Sequence, residues 1–193
     1  NRTMDAIPPR SFARLVDEIL KAGRIFCMGW RISSFLAEFL SFQLRRLGYS
    51  AFPVVRERRP LLEQVMNLSR RDLLIVFDQL IYSTEVFNAV EHVGRTLPEV
   101  KIVTVTNDPL AQIVQYADLS FFIDLLGQKE FSIISLTAPM CFLNAVIEAV
   151  FNRDPRPAKK ALDRYEKLVL SRPDYAMTLL AQRQLKSKRG PLV

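Results

Sequence analysis

Apolar residues in this chain alternate between short unbroken runs and longer stretches in which they recur every three or four positions. Unbroken runs are typical of strands buried on both faces of a sheet, and the wider spacing is typical of amphipathic helices. The pattern predicts strands at 24–29, 51–55, 73–77, 101–106 and 119–123, and helices at 11–22, 33–47, 61–68, 83–95, 131–151 and 158–170.

The alternation of strands with helices indicates a parallel sheet that is covered on both faces. We expect an α/β fold, a three-layer αβα sandwich whose five-stranded parallel sheet has the flavodoxin-like order 2-1-3-4-5. Ligands of such sheets bind beyond the carboxyl ends of the strands, at the point where the strand order reverses. That point lies between the first and third strands.

A turn that starts at Gly29 joins the first strand to a long amphipathic helix. Such a turn aims unpaired N–H groups and the positive end of the helix dipole at one point, which favours an anion such as phosphate. Ser33 and Ser34 open the helix, and we expect their hydroxyls to cap it or to contact a ligand. The turn at 78–84 follows the third strand, so the two turns are expected to form one site.

The composition is that of an ordinary globular protein, since 193 residues suffice for one domain and 49% of them are apolar. Cys27 and Cys141 lie in apolar runs and are interpreted as buried reduced thiols, which favours the cytoplasm. No metal or other cofactor is expected. The chain begins with Asn1 and lacks a secretory signal, so we expect a fragment of a longer polypeptide.

A run of 17 uncharged residues at 131–147 approaches the length of a membrane span. It contains Pro139 and several polar side chains, and Glu148 follows at once. A helix packed on the sheet or in a subunit interface therefore explains the run better than a membrane span, and no membrane is expected as a partner.

The positive charge is confined to one end of the chain. Residues 1–152 contain 16 Lys and Arg and 16 Asp and Glu, so residues 153–193 carry the whole net charge of +7. We therefore separate a main domain at 1–152 from a basic helical extension at 153–193. The extension either contacts an anionic surface or partner, or is a solvated helical face.

Two segments that follow predicted strands are GWRIS at 29–33 and DQLIYSTE at 78–85. They resemble the SIS (sugar isomerase) domain, and most closely the effector domain of RpiR-type transcriptional regulators. In that family the first turn is roughly Gly-x-Gly-x-Ser, and the second is Ser-x-Ser-Gly-x-Thr-x-Glu. The matching segments of this chain are GWRIS at 29–33 with Ala37, DQLIYSTE at 78–85, TNDPLA at 106–111, Ala117-Asp118 and EFS at 130–132. The opening Asn1-Arg2-Thr3 resembles the linker from a helix-turn-helix domain.

The resemblance implies that 1–152 is an SIS-like ligand-binding domain. It implies a site for a small anionic metabolite, a sugar phosphate or related compound, in a homodimer or tetramer. DNA would be bound through a helix-turn-helix domain absent from this chain. The implied ligand-binding residues are Gly29, Arg31, Ser33, Ser34, Asp78, Ser83, Thr84 and Glu130, and none is assigned a catalytic role.

The second turn departs from the family pattern, in which serine and threonine hydroxyls and backbone N–H groups hold the phosphate. Asp78 and Leu80 replace the two serines, Ile81 replaces the glycine, and Ser83 stands for the threonine. Ile81 blocks close approach of the backbone and resists positive φ. Asp78 places a negative charge where a phosphate arrives, and two charges about 4 Å apart repel by roughly 4 kcal/mol at an effective dielectric constant of about 20.

Arg31 replaces the second glycine of the first turn. Because Arg31 and Asp78 follow neighbouring strands, one hypothesis is that they pair, with the guanidinium in the phosphate pocket. Alternatively, Arg31 binds a phosphate or carboxylate of the ligand, or the side chain points to solvent.

An enzyme is the weaker alternative. Glu130 matches the position of the base in sugar-isomerising relatives, but ring opening also needs an acid, and the single histidine, His92, lies in the middle of a predicted helix. The arginines at 56, 58 and 59 are expected to reach an anionic ligand or a neighbouring subunit, or to form a solvated loop. Trp30 is expected to stack on a sugar ring or to cover the sheet edge.

We therefore expect the ligand-sensing and dimerisation domain of an RpiR-like bacterial transcriptional regulator that binds a phosphosugar or a similar small anionic carbohydrate derivative. Two alternatives stay open: an aldose–ketose isomerase of sugar phosphates, and a degenerate SIS domain that acts only in assembly.

Overall fold

The computed structural model describes residues 7–123 and 135–171. Five parallel strands form one sheet in the order β2-β1-β3-β4-β5, which confirms the predicted fold class. The strands are β1 (Arg24–Gly29), β2 (Ala51–Val54), β3 (Asp72–Asp78), β4 (Lys101–Thr106) and β5 (Leu119–Phe122).

Six α-helices and one 3₁₀ helix are found in the described ranges. They are α1 (Pro9–Lys21), α2 (Ile32–Arg46), α3 (Leu61–Val65), α4 (Thr84–Thr96), the 3₁₀ helix (Gln112–Tyr116), α5 (Thr137–Arg153) and α6 (Pro155–Ser171). One face of the sheet packs against α1, α2 and α5, and the other packs against α3, α4 and the 3₁₀ helix.

The central strand β3 is buried at all seven positions, as expected for an unbroken apolar run between two helical layers. Its alternate residues belong to two separate apolar clusters, with Ile75 and Phe77 on one face and Leu74 and Val76 on the other. By the same alternation, Asp78 lies on the face that is covered by α4 and the 3₁₀ helix.

Two helical predictions were wrong in extent. The helix expected from residue 131 begins at Thr137, after Ser135, whose hydroxyl accepts a hydrogen bond from Thr137 N–H and forms a turn. Residues 131–134 of that prediction lie outside the described part of the chain. The helix expected at 61–68 ends at Val65. The 3₁₀ helix was not predicted, because five residues are too few to show a helical period.

The start of the basic extension forms α6, which packs against α2. The ring of Tyr165 lies 6.4 Å from that of Phe42 in an edge-on contact, and the Arg46 guanidinium lies over both rings. Within the described ranges no helix has both the length and the apolar character needed to cross a bilayer. Most of the uncharged run belongs to α5, which packs on the sheet.

Candidate functional site

The two predicted turns leave the same edge of the sheet, from adjacent strands. β1 and β3 are parallel neighbours in which Gly29 pairs with Phe77, so the first turn starts beside Asp78. This edge is the carboxyl end of the sheet at the point where the strand order reverses, where ligands of this architecture bind.

Gly29 is required by a close backbone contact. A Cβ atom at this position would lie 2.2 Å from the carbonyl oxygen of Ser33, in the first turn of α2. No side chain fits there without moving the helix away from the strand. The glycine therefore fixes α2 directly against the end of β1.

Arg31 is the residue before α2, with φ 51° and ψ −124°. This is a conformation that glycine adopts readily and other residues adopt at a cost in free energy. Its side chain is exposed, and the guanidinium carbon lies 5.4 Å from the centre of the Trp30 ring. Among the ion pairs of residues 7–123 and 135–171, none joins Arg31 to Asp78, so the predicted pairing is not found.

Ser33 and Ser34 are both buried in the first turn of α2. Of the two expected roles, capping is not found, since α2 has no side-chain cap and the Ser34 hydroxyl donates to the Arg31 carbonyl at 2.6 Å; contact with a ligand stays a prediction. That bond holds the strained residue in place. Trp30 is half-buried against the apolar cluster below α3 and α4, as the sheet-covering alternative expected.

The second turn is held by one side chain of the neighbouring strand end. The Asn107 Oδ1 atom accepts hydrogen bonds from Leu80 N–H at 2.9 Å and from the Tyr82 hydroxyl at 3.4 Å. Leu80 has φ 66°, in the left-handed region. In the alignment with the family motif, Ile81 takes the place of the glycine, but the residue with positive φ is Leu80.

Asp78 is the last residue of β3, and only 4% of it is exposed. Burial raises its pKa from 3.8 to about 7, and a hydrogen bond from the backbone N–H of Ser83 acts in the opposite direction. Ser83 is the N-cap of α4, where its hydroxyl accepts from Val86 N–H at 3.4 Å. Asp78 thus faces the start of α4 without a cation beside it among the described residues.

A cavity of about 340 Å³ opens beside Asp78. One wall is the start of α4 and the other is the segment that follows β4. The lining residues are Asp78, Tyr82, Ser83, Thr84, Phe87, Leu110, Ala111, Gln112 and Ile113.

The cavity combines some of the predicted site residues and leaves others apart. Asp78, Ser83 and Thr84 line it, whereas Gly29, Arg31, Ser33 and Ser34 of the first turn do not. Glu130 lies outside the described residues. The wall at 110–113 was not assigned to the site from the sequence, although it includes the end of the TNDPLA motif at 106–111, which was the available signal.

A second cavity, of about 640 Å³, lies at the opposite edge of the sheet and contains no predicted site residue. It is open to solvent, between the ends of α1 and α2 and the junction of α5 with α6. Its lining residues are Leu20, Leu47, Gly48, Tyr49, Arg153, Asp154, Pro157, Lys160, Ala161 and Arg164.

Other candidate residues have contacts of their own. The Glu85 carboxylate accepts from Leu61 N–H at 3.0 Å and from Arg56 at 3.3 Å, which joins α4 to the start of α3. The Nε2 atom of His92 lies 3.3 Å from the Thr96 hydroxyl, on the far part of α4. Within the described ranges, no group of three His, Cys, Asp or Glu residues has the arrangement of a metal site.

The geometry agrees with the comparisons with known proteins. A family model described as the SIS domain matches residues 18–149. The sugar isomerase domain of an RpiR transcription factor from Sphaerobacter thermophilus has a TM-score of 0.78 at 20% identity, with 86% of this chain and 91% of that chain covered. These findings confirm the predicted resemblance.

Other solved structures share the fold. The Vibrio vulnificus NanR protein complexed with ManNAc-6P has a TM-score of 0.75 at 17% identity over 88% of this chain, and the match spans 64% of NanR. A hypothetical protein of Methanococcus jannaschii, for which a function as 3-hexulose-6-phosphate isomerase is inferred, has a TM-score of 0.61 at 21% identity, covering 79% of this chain and 84% of that chain. A comparison with curated proteins gives no match.

Proposed function

This chain belongs to the SIS domain family, and we propose that it is the ligand-sensing domain of an RpiR-like bacterial transcriptional regulator. The ligand is a carbohydrate derivative, a phosphosugar or a related small anionic compound. In this proposal residues 1–152 bind the ligand and form a homodimer or tetramer in the cytoplasm. A helix-turn-helix domain outside this chain contacts DNA, and residues 153–193 form a basic extension.

The observation that carries the proposal is the polar cavity at the carboxyl edge of the sheet. It combines the Asp78 carboxyl, the Tyr82, Ser83 and Thr84 hydroxyls and the Gln112 amide with an apolar wall. Closely spaced hydroxyl, amide and carboxyl groups around an apolar surface match the alternating hydroxyl and C–H groups of a sugar. The fold shared with NanR, which is complexed with ManNAc-6P, supports a carbohydrate ligand.

A sensing role is favoured over isomerisation by the position of the histidine. Isomerisation needs an acid and a base close to the same sugar carbons. His92 is the only histidine of the chain, it contacts Thr96, and it is not among the lining residues. We therefore propose that ligand binding acts by shifting a conformational population and not by turnover.

The ligand would act through the two walls of the cavity. A sugar between the start of α4 and the segment at 110–113 contacts two elements that belong to different strand ends. Binding that draws these elements together favours the state in which they are closer, in proportion to the difference in affinity between the two states. That movement would set the spacing of two attached DNA-binding domains.

A binding experiment with a matched pair of variants tests the proposal. Thr84→Val removes a hydroxyl from the cavity, whereas Thr96→Val makes the same change at the exposed far end of α4. With a panel of sugars and sugar phosphates in calorimetry, we expect Thr84→Val to weaken the best ligand about threefold to tenfold and Thr96→Val to leave it unchanged.

Two results would refute the proposal. One is the absence of binding across the panel together with dimers in sedimentation, which would favour an assembly role. The other is interconversion of aldose and ketose phosphates that is lost on Glu130→Gln, which would favour the isomerase.

A further inference from the structure

The cavity beside Asp78 has the wrong charge for a phosphate. Among the described residues that line it, Asp78 has the single carboxyl, which is ionised above its pKa of about 7, and none is Lys, Arg or His. The remaining polar groups are hydroxyls and one amide. A buried anionic group with no counter-cation raises the free energy of any second anion brought close to it.

Two N–H groups at the start of α4, which would otherwise attract an anion, are already hydrogen-bonded within the chain. The Ser83 N–H donates to the Asp78 carboxyl, and the Val86 N–H donates to the Ser83 hydroxyl. The carboxyl of Asp78 thus lies at the start of α4, where an anion would be bound. A phosphate at this helix start would lie beside this carboxyl, which is 4% exposed at the end of the central strand.

Asp78 also keeps an acceptor for a ligand. A carboxyl group has two oxygens with several lone pairs, and Ser83 N–H uses one of these sites. Thr106 of β4 pairs with Asp78 of β3, so the buried hydroxyl of Thr106 lies on the same face of the sheet as the Asp78 carboxyl. A hydroxyl or an ammonium group of a ligand satisfies the free acceptor positions, and a phosphate does not.

From this arrangement we infer that the cavity is a subsite for the hydroxyl- or amine-bearing part of a carbohydrate, and that Asp78 excludes a phosphate or carboxylate from it. The inference rests on the proposed function and states which end of the ligand enters the cavity. Any anionic group of the ligand stays outside this space. An amino sugar satisfies the site best, because its ammonium group pairs with the carboxylate of Asp78.

The test uses two substitutions of Asp78 in the full chain and two kinds of probe, at pH 7.5, where most of Asp78 is ionised. Asp78→Asn keeps the shape and removes the charge, and Asp78→Ser restores the small hydroxyl of the family pattern. The probes are inorganic phosphate, at constant ionic strength, and glucosamine, mannosamine and their N-acetyl derivatives, each with and without a 6-phosphate. Asp108→Asn is the control, since it removes a carboxylate from the neighbouring turn and does not line the cavity.

We expect Asp78→Asn to weaken binding of the best amino sugar about tenfold or more, with a smaller loss for its N-acetyl derivative, which has no ammonium group. We expect phosphate to raise the melting temperature of Asp78→Ser and to leave that of the wild type and of Asp108→Asn unchanged.

The inference is overturned if sugars bind Asp78→Asn as tightly as the wild type, or if phosphate stabilises the wild type as much as Asp78→Ser. Either result leaves a carbohydrate-sensing role intact. Failure of every sugar and sugar phosphate to bind any variant would instead overturn the proposed function as well. Circular dichroism and the melting temperature of each variant show whether it is folded.

Discussion

Replacing Asp78 by Asn should change how the stability of this protein depends on pH. The carboxyl is 4% exposed at the end of β3, and burial raises its pKa to about 7. In the unfolded chain the same group has a pKa near 3.8. The folded state therefore holds a proton that the unfolded state has released, across the range between these two values.

The sign and size follow from this difference. Below about pH 4 both states are protonated and Asp78 imposes no penalty. As the pH rises to about 7, the unfolded state gains stability from ionisation and the folded state does not, so the free energy of unfolding falls. A difference of about 3 pH units between the two pKa values, at 1.36 kcal/mol per unit, corresponds to roughly 4 kcal/mol.

Urea titrations at closely spaced pH values between 4 and 8.5 measure the effect as the difference between wild type and Asp78→Asn. Asn removes the ionisation and keeps an oxygen that accepts from Ser83 N–H. We expect the free energy of unfolding of Asp78→Asn to rise relative to that of the wild type by up to roughly 4 kcal/mol between pH 4 and 7.5. Above pH 7.5 the difference should stay constant.

The matched control is Asp118→Asn. Although burial acts to raise it, hydrogen bonds from Lys101 and the Ile102 N–H hold the pKa of Asp118 below its ordinary value. Asp118 is therefore ionised in both states above about pH 5, and its difference from the wild type should stay constant between pH 5 and 8. Parallel curves for wild type and Asp78→Asn, or a wild type that gains on the variant as pH rises, would refute the reasoning.

Substitutions at three further residues test the site and its supports. Arg31→Gly should raise the free energy of unfolding by about 1 kcal/mol, because glycine adopts the backbone conformation at φ 51° without strain. Arg31→Ala keeps that strain and should not raise the stability. Equal shifts of the melting temperature for the two variants would contradict this account. Gly29→Ala should lower the free energy of unfolding, measured by chemical denaturation, by about 3 kcal/mol or more, since its Cβ would lie 2.2 Å from the Ser33 carbonyl oxygen. An unchanged free energy of unfolding would mean that α2 moves away from β1 without cost. Asp72→Asn should lower the free energy of unfolding by about 2 kcal/mol at pH 7, because it breaks the pair with Arg24. Although burial acts to raise it, hydrogen bonds from Arg24 and Ser69 hold the pKa of Asp72 below its ordinary value. The stabilisation from Asp72 is therefore present above about pH 4 and is lost as the pH falls through the lower pKa of the folded state. A loss that persists undiminished at pH 3 would exclude this electrostatic origin.

The fold could be predicted from the sequence because its strands are short apolar runs with clear ends. The bounds of β1 and β4 were predicted to the residue, and the order of all five strands is confirmed. The start of α5 was missed because a turn at Ser135 is a local hydrogen-bond effect that apolar spacing does not show.

The site was only partly predictable. The rule on strand order predicted two adjacent turns, and the three predicted site residues of the second turn line a cavity. The rule does not say which side of β3 the space opens on, and the structure places it towards β4, where the 3₁₀ helix forms a wall. The sequence left open whether Arg31 pairs with Asp78, and in the structure the guanidinium is exposed and lies over the Trp30 ring instead.

The contact at Gly29 has a consequence for how signals leave this edge of the sheet. Because α2 is seated on the end of β1 with no space for even one carbon atom, the first turn behaves as a rigid anchor. The second turn is instead held by side-chain hydrogen bonds, from Leu80 N–H and the Tyr82 hydroxyl to Asn107 and from Ser83 N–H to Asp78. We therefore expect a displacement that starts here to be taken up by the second turn and by α4, and not by the first turn.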